Sequence, residues 1–234
     1  MPRIAPADEP YPSEIATALA RTMPPGVAPL VLFRTMARNP RVFGKMFAGG
    51  LLDRGALSLR QREVVIDRTT ARLGAEYEWG VHIAFFAEKV GFDAERIAAT
   101  VHGPADAPCW SADERALLAA VDDLVDRRTI GDETWAELAA HFDEAQIIEV
   151  IALAGYYHTI SFLCRALDLP LEAYAARFPD GHRQGAQTKQ AKYSNQTKRE
   201  SHPGIGYPDT ADGAILPAGA CKNPFQQPAS AWPS

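Results

Sequence analysis

A glutamate and a histidine stand one helical turn apart in this 234-residue chain, at Glu78 and His82. Residues four apart share one face of a helix, so the carboxylate can hydrogen-bond the imidazole. Glu63 lies in the preceding helical segment, and a turn at Gly74 would fold the two segments back on each other. Neighbouring aromatic rings disfavour a charged imidazole, whereas an adjacent carboxylate favours it. The pattern predicts a pocket in which His82 carries a proton.

Other interpretations of these three side chains stay open. Glu78 and His82 could form a purely structural pair, because structural networks also join such groups. Glu63 could equally be the ion-pair partner of Arg96 or Arg115. The three side chains could also ligate iron, manganese or zinc, but no second histidine stands at a close spacing. We therefore predict a site without a metal ion.

Composition excludes several classes of protein. The chain is 47% hydrophobic and 23% charged, which is typical of a soluble protein, and its net charge of -5 gives no basic footprint for nucleic acid. Cys109, Cys164 and Cys221 form neither a CxxC pair nor a metal-ligand spacing, which favours a reducing compartment. No signal-peptide core is present at the N-terminus, and no run reads as long enough to cross a bilayer. We expect a cytoplasmic protein that does not bind membranes.

Start and stop signals divide the chain into helices. Ser58 with Gln61 and Ser111 with Glu114 are capping-box patterns, and Gly74 suits the left-handed position that ends a helix. The run from Glu144 to Leu167 is apolar nearly all round and is expected to be a buried central helix. Because no segment alternates with a period of two for long, we predict an all-α fold built from helix pairs.

The predicted organisation has three parts. Residues 1–27 are expected to be irregular with one short helix, and residues 28–179 to form the helical domain. Residues 180–234 are rich in polar residues, Gly and Pro, which predicts disorder because such a segment buries too little apolar surface. The alternative is an arm that docks on a neighbouring subunit through Phe225 and Trp232.

Two motifs together resemble the carboxymuconolactone decarboxylase and AhpD-like family. They are Leu59-Arg60-Gln61-Arg62-Glu63 and, after Gly74, Ala75-Glu76-Tyr77-Glu78-Trp79-Gly80-Val81-His82. The resemblance covers about residues 30–171 and implies an AhpD-like helical bundle that assembles as a trimer or hexamer. In the peroxidase branch of the family a CxxC precedes the histidine. Here Ala75 and Glu78 stand at those positions, so the resemblance implies the thiol-free branch.

The thiol-free branch is similar to decarboxylases that act on a carboxylated muconolactone. Such an enzyme needs a proton donor and charge stabilisation but no cofactor. The resemblance assigns acid and base chemistry to His82, with Glu78 orienting it and Glu63 as a second relay group. The substrate-binding candidates are Arg60, Arg62, Arg72, Tyr77 and Trp79. A peroxidase that uses Cys109 or Cys164, and a non-catalytic helical oligomer, are the alternatives.

Overall fold

The computed structural model describes residues 1–23 and 26–180. Within those ranges the chain forms nine α-helices and no strand, as the sequence predicts. The expectation of disorder after residue 180 falls outside the described residues. The helices are α1 (Ser13–Thr22), α2 (Val31–Met36), α3 (Pro40–Ala48), α4 (Leu59–Arg72), α5 (Glu76–Phe86), α6 (Ala94–His102), α7 (Ala112–Arg127), α8 (Asp132–His141) and α9 (Glu144–Ala166).

The expected capping signals define several of these ends. Ser58 and Gln61 form a reciprocal capping box before α4, and Ser111 and Glu114 form another before α7. Asp143 caps α9 in the same way with Gln146. Each box pairs backbone N–H groups that a helix start would otherwise leave without partners. These local signals account for the agreement between predicted and observed helix starts.

The centre of the bundle is α4, which packs against α5, α6, α7 and α9. Every residue of α4 from Glu63 to Ala71 is buried. The expectation that α9 is the buried central helix is wrong, because Ile148, Ile151 and Phe162 on one of its faces are 67%, 40% and 60% exposed. By length and composition α9 could also cross a membrane, a property that the sequence analysis did not assign to it. Its other face belongs to the core.

Both ends of the described chain pack on the helices. The backbone N–H of Arg3 donates to the carbonyl of Leu167 at 2.8 Å, and Ile15 and Leu19 of α1 are buried. After α9, the backbone N–H of Ala176 donates to the carbonyl of Gly80 at 3.0 Å. We call residues 172–178 the C-terminal strap. It covers the outer side of α5.

Candidate functional site

A helical hairpin brings Glu63 and His82 together. α4 ends at Arg72 with Leu73 as its C-cap, and Gly74 then takes a φ of 66°, a left-handed conformation that suits glycine. α5 starts two residues later and runs back along α4. The side chain of Glu63 on α4 therefore meets that of His82 on α5, although 19 residues separate them in sequence.

His82 is the centre of a buried chain of polar side chains. Its Nδ1 lies 2.7 Å from Oε2 of Glu63, and its Nε2 lies 3.0 Å from the hydroxyl of Tyr157. Oε1 of Glu78 is farther from Nε2, at 3.5 Å. Glu63 thus orients the imidazole, which is the role that the resemblance gave to Glu78. The other carboxylate oxygen of Glu78 is buried and has no partner among the described residues.

The electrostatic surroundings favour a protonated imidazole. Burial by itself would lower the pKa of His82, but the charge and hydrogen bond of Glu63, together with those of Glu78, outweigh burial and raise the pKa to about 10. At neutral pH both ring nitrogens then carry hydrogen, so Nδ1–H donates to Glu63 and Nε2–H to Tyr157. Burial, and then the charges of Glu78 and Glu63, raise the pKa of the Tyr157 hydroxyl well above its usual value, so it stays neutral.

Asp67 is a second buried carboxyl group, one helical turn after Glu63. It is 2% exposed, and its Oδ1 has no hydrogen-bond partner in the described part of the chain. Burial, and then repulsion from Glu63, raise the pKa of Asp67 well above its usual value, against an opposing effect of His82. These surroundings favour the neutral form of the Asp67 carboxyl group over its charged form.

Arg62 lies at the edge of this site. Its Nε donates to Oε1 of Glu63 at 3.3 Å, and its Nη1 donates to the carbonyl of Leu52 at 2.8 Å. The guanidinium also lies 5.8 Å from the ring centre of Phe86, and that ring stacks on His82 at 5.4 Å. Arg62 and Phe86 thus separate the buried polar chain from the segment that contains Leu52.

The other predicted substrate-binding residues have structural roles away from His82. Arg60 pairs with Glu114 at 2.5 Å and packs over the ring of Phe92, while Arg72 pairs with Asp122 and Asp126. Neither arginine contacts His82 in the bonds and ion pairs of the described residues.

Tyr77 and Trp79 lie in the core of the bundle. The Tyr77 hydroxyl donates to Glu172 at 2.5 Å, and Trp79 Nε1 donates to the hydroxyl of Thr100 at 3.0 Å. Both side chains are almost fully buried, at 3% and 0% exposure. Their observed contacts hold the C-terminal strap and α6 in place.

Sequence reasoning missed two members of the site. Tyr157 lies in the stretch that the family resemblance covers, but the sequence assigns no role to it or to Asp67. His158 is half-buried and stacks edge-on against Phe162 at 4.7 Å, away from the relay. The signal for Asp67 was its position four residues after Glu63, on the same face of α4. The contact of Tyr157 with His82 could not be predicted, because the packing of α9 against α5 is not encoded in local spacing.

The described cysteines are poorly suited to nucleophilic chemistry. Burial, followed by the charge of Glu78, raises the pKa of the Cys164 thiol well above its usual value. Burial and the charge of Glu95 also raise the pKa of Cys109. Cys221 lies outside the described residues. Among the described residues, no cluster of three or more His, Cys, Asp or Glu side chains is arranged to hold a metal ion.

The protein is an all-α bundle with a buried, hydrogen-bonded set of carboxylate, histidine and tyrosine side chains. Comparisons with known proteins show what it is similar to. Residues 41–123 match the family model described as carboxymuconolactone decarboxylase family. That stretch contains Glu63, Glu78 and His82, whereas Tyr157 follows it. No curated protein matches the sequence. Over residues 41–123 the chain is therefore similar to the carboxymuconolactone decarboxylase family.

Solved structures share the fold at low sequence identity. An uncharacterized peroxidase-related protein from Silicibacter sp. TM1040 is 20% identical with a TM-score of 0.65, and the match covers 76% of this chain and 96% of that one. A peroxidase-related protein with an AhpD core from Ralstonia eutropha JMP134 is 16% identical with a TM-score of 0.63, covering 73% and 93%. A variant of the debrominase Bmp8 in complex with 2,3,4-tribromopyrrole is 16% identical with a TM-score of 0.62, covering 73% and 92%. These likenesses establish an AhpD-like fold.

Proposed function

We propose that this protein is a cofactor-free acid/base enzyme of the carboxymuconolactone decarboxylase type, acting on a small carboxylated lactone or a related compound. The observation that carries the proposal is the imidazole of His82, which is buried, oriented by Glu63 and held protonated. Loss of carbon dioxide from such a substrate needs a proton donor at the carbon that gains the electron pair. A buried imidazolium is such a donor.

The proposed step balances without an external oxidant or reductant. The bond between the ring carbon and the carboxylate breaks, carbon dioxide leaves, and the electron pair moves into the unsaturated lactone. The ring then takes a proton from the hydroxyl of Tyr157, and Nε2 of His82 returns a proton to that hydroxyl. Solvent reprotonates His82 after product release, so the enzyme ends the cycle unchanged.

The remaining side chains support binding and charge balance in this proposal. Arg62 is the predicted arginine that lies beside the relay, and its guanidinium would meet the substrate carboxylate at the edge of the site. Glu78 has a buried oxygen without a partner in the described chain, so it would accept a hydrogen bond from the substrate or stabilise the charged imidazole. Arg60 and Arg72 would act only through the packing of α4.

The test is turnover of a carboxylated muconolactone, followed by release of carbon dioxide and by loss of the substrate's ultraviolet absorbance. His82→Gln should abolish turnover while helicity and oligomer mass stay those of the parent. His158→Gln is the matched control, since this histidine lies outside the relay, and it should retain activity. Full turnover by the His82 variant would refute the proposed role.

A second candidate is an AhpD-like peroxidase, which the peroxidase-related structural relatives favour. It would need a reactive thiolate, and the raised pKa values of Cys109 and Cys164 oppose one at neutral pH. A hydroperoxide assay with each cysteine replaced in turn separates the two candidates. Hydroperoxide turnover that one cysteine replacement removes would favour the peroxidase.

We also propose that the protein acts as a cytoplasmic homo-oligomer, a trimer or hexamer, on a small molecule. Family resemblance supports this assembly. A non-catalytic helical oligomer is the alternative if no substrate is turned over and the His82 variant merely unfolds.

A further inference from the structure

One face of α9 is apolar and uncovered by the described residues. Positions spaced three and four apart share this face, which we call the α9 stripe: Ile148, Ile151, Ala152, Gly155, Thr159, Phe162 and Ala166. All seven are exposed, and the ends of the stripe carry the large side chains. The opposite face of the same helix belongs to the core and supplies Tyr157 to the site. The stripe is thus a continuous surface over residues 148–166, or roughly 27 Å at 1.5 Å per residue.

Gly155 at the middle of the stripe has no role within the described chain. A Cβ atom built there would meet nothing within 4 Å. Glycine inside a helix costs about 1 kcal/mol relative to alanine, so a residue without a local purpose is an unexplained loss of stability. Small residues at the centre of a helix face allow a second helix to approach closely. Ala152 and Thr159 flank Gly155 on the same face and are also small.

The stripe is complementary to itself when two copies run antiparallel. Let the two-fold axis pass through Gly155. A residue that precedes Gly155 by some number of positions in one copy then faces the residue that follows Gly155 by the same number in the other copy. Ile148 then faces Phe162 of the second copy, and Ile151 faces Thr159. The large side chains at the two ends pack against each other, and the small residues meet at the crossing.

Charge selects the same orientation. Glu144 lies in the first turn of α9 at the end of the stripe, and Arg165 lies in the last turn. An antiparallel pair brings Glu144 next to Arg165 of the second copy, whereas a parallel pair would bring like charges together. A groove at the C-terminal end of the stripe, lined by Leu73, Ser161, Phe162, Arg165 and Ala166, would receive the first turn of the partner helix.

We propose that the α9 stripe is a two-fold interface between two copies of this chain, with the α9 helices antiparallel and crossing at Gly155. This assembly goes beyond the proposed reaction and does not depend on it. A two-fold axis requires an even number of chains, so the pairing fits a hexamer but not an isolated trimer. It also covers the helix that holds Tyr157, which places the relay next to the interface.

Cysteine crosslinking of the full chain tests the geometry. Under mild oxidation Gly155→Cys should link to itself across the axis. Phe162→Cys alone should not link, because an antiparallel pair separates the two positions by 14 residues, or about 21 Å. A mixture of Phe162→Cys and Ile148→Cys chains should link. The parent chain, with its own three cysteines, gives the background. Self-linking of Phe162→Cys without linking of the mixture would overturn the antiparallel arrangement.

Sedimentation of the full chain tests the interface itself. The parent should sediment as an even-numbered oligomer, and Phe162→Glu should raise the dissociation constant at least tenfold. Leu59→Glu is the control, since Leu59 is 39% exposed outside the stripe. A monomeric parent, or an oligomer that Phe162→Glu leaves unchanged, overturns the proposal. A monomer that sediments with phosphatidylglycerol vesicles, and loses this binding in Phe162→Glu, would instead assign the stripe to a lipid surface.

Discussion

Replacing Glu63 by glutamine should lower the pKa of His82 from about 10 towards its ordinary value of 6.5, with only Glu78 left to raise it. The glutamine keeps the size of the side chain and an oxygen that can accept the Nδ1–H bond, but it removes the negative charge. Burial, which lowers the pKa of His82, then remains with less opposition. The difference between 6.5 and about 10 corresponds to a free energy on the order of 5 kcal/mol, at roughly 1.4 kcal/mol per pKa unit.

The raised pKa also sets how stability depends on pH. Because the folded pKa of His82 lies above its unfolded value, the stabilisation is complete below pH 6.5 and is lost as pH rises through about 10. Within that window the loss is about 1.4 kcal/mol of unfolding free energy per pH unit. The Glu63→Gln variant should show a smaller loss, because only Glu78 then raises the pKa of His82. Making both the parent and the Glu63 variant with Asp67→Asn removes the titration of the Asp67 carboxyl group from the comparison.

The assay combines two measurements on the parent and the variant. Imidazole NMR shifts between pH 5 and 11 report the pKa of His82, assigned by the His82→Gln spectrum, and urea unfolding over the same range reports the free energy. A parent His82 that titrates at or below 6.5 would falsify the electrostatic account of the site. An unchanged pKa in the Glu63 variant would show that Glu63 is not its main cause.

Two structural predictions compare matched pairs of residues. Arg68 is 3% exposed and binds Asp122 through two hydrogen bonds of 2.7 and 2.6 Å. Arg68→Met should therefore cost about 3 to 5 kcal/mol of unfolding free energy in urea denaturation. Arg72→Met, at a partly exposed ion pair, should cost about 1 kcal/mol or less. Equal losses would contradict the assigned role of burial. A Cβ atom on Gly80 would overlap the carbonyl oxygen of Ala176. Gly80→Ala should therefore displace the C-terminal strap and speed its cleavage in limited proteolysis. In the control Gly44→Ala the new Cβ atom meets no atom within 4 Å, so cleavage should be unchanged. Unchanged cleavage in Gly80→Ala would contradict the described strap contact.

The sequence predicts the elements that local chemistry determines. Ser58, Ser111 and Asp143 cap helices because their side chains bond the backbone within three residues, and this pattern is legible without a fold. The meeting of Glu63 with His82 was also foreseeable, because one short turn at Gly74 connects their helices. These predictions depend on contacts that are close in the chain.

What the sequence did not predict depends on distant packing. Hydrophobicity alone made α9 look central, yet Ile148 and Phe162 are exposed, and the more polar α4 is the buried helix. The buried Arg68 of α4 donates to Asp122 and to carbonyl groups at the C-terminal end of α6, and no spacing rule reveals these partners. Tyr157 reaches His82 across 75 residues for the same reason.

The separation of the relay contacts along the chain has a consequence for folding. Glu63 and His82 are 19 residues apart and close within one hairpin, whereas His82 and Tyr157 are 75 apart. Closing the longer loop costs about 1 kcal/mol more conformational entropy. We therefore expect the charged pair to form early, in a nascent α4–α5 hairpin, and to wait in contact with water until α9 docks. Docking of α9 is then the event that removes water from the pair and adds the contact between Nε2 of His82 and the hydroxyl of Tyr157.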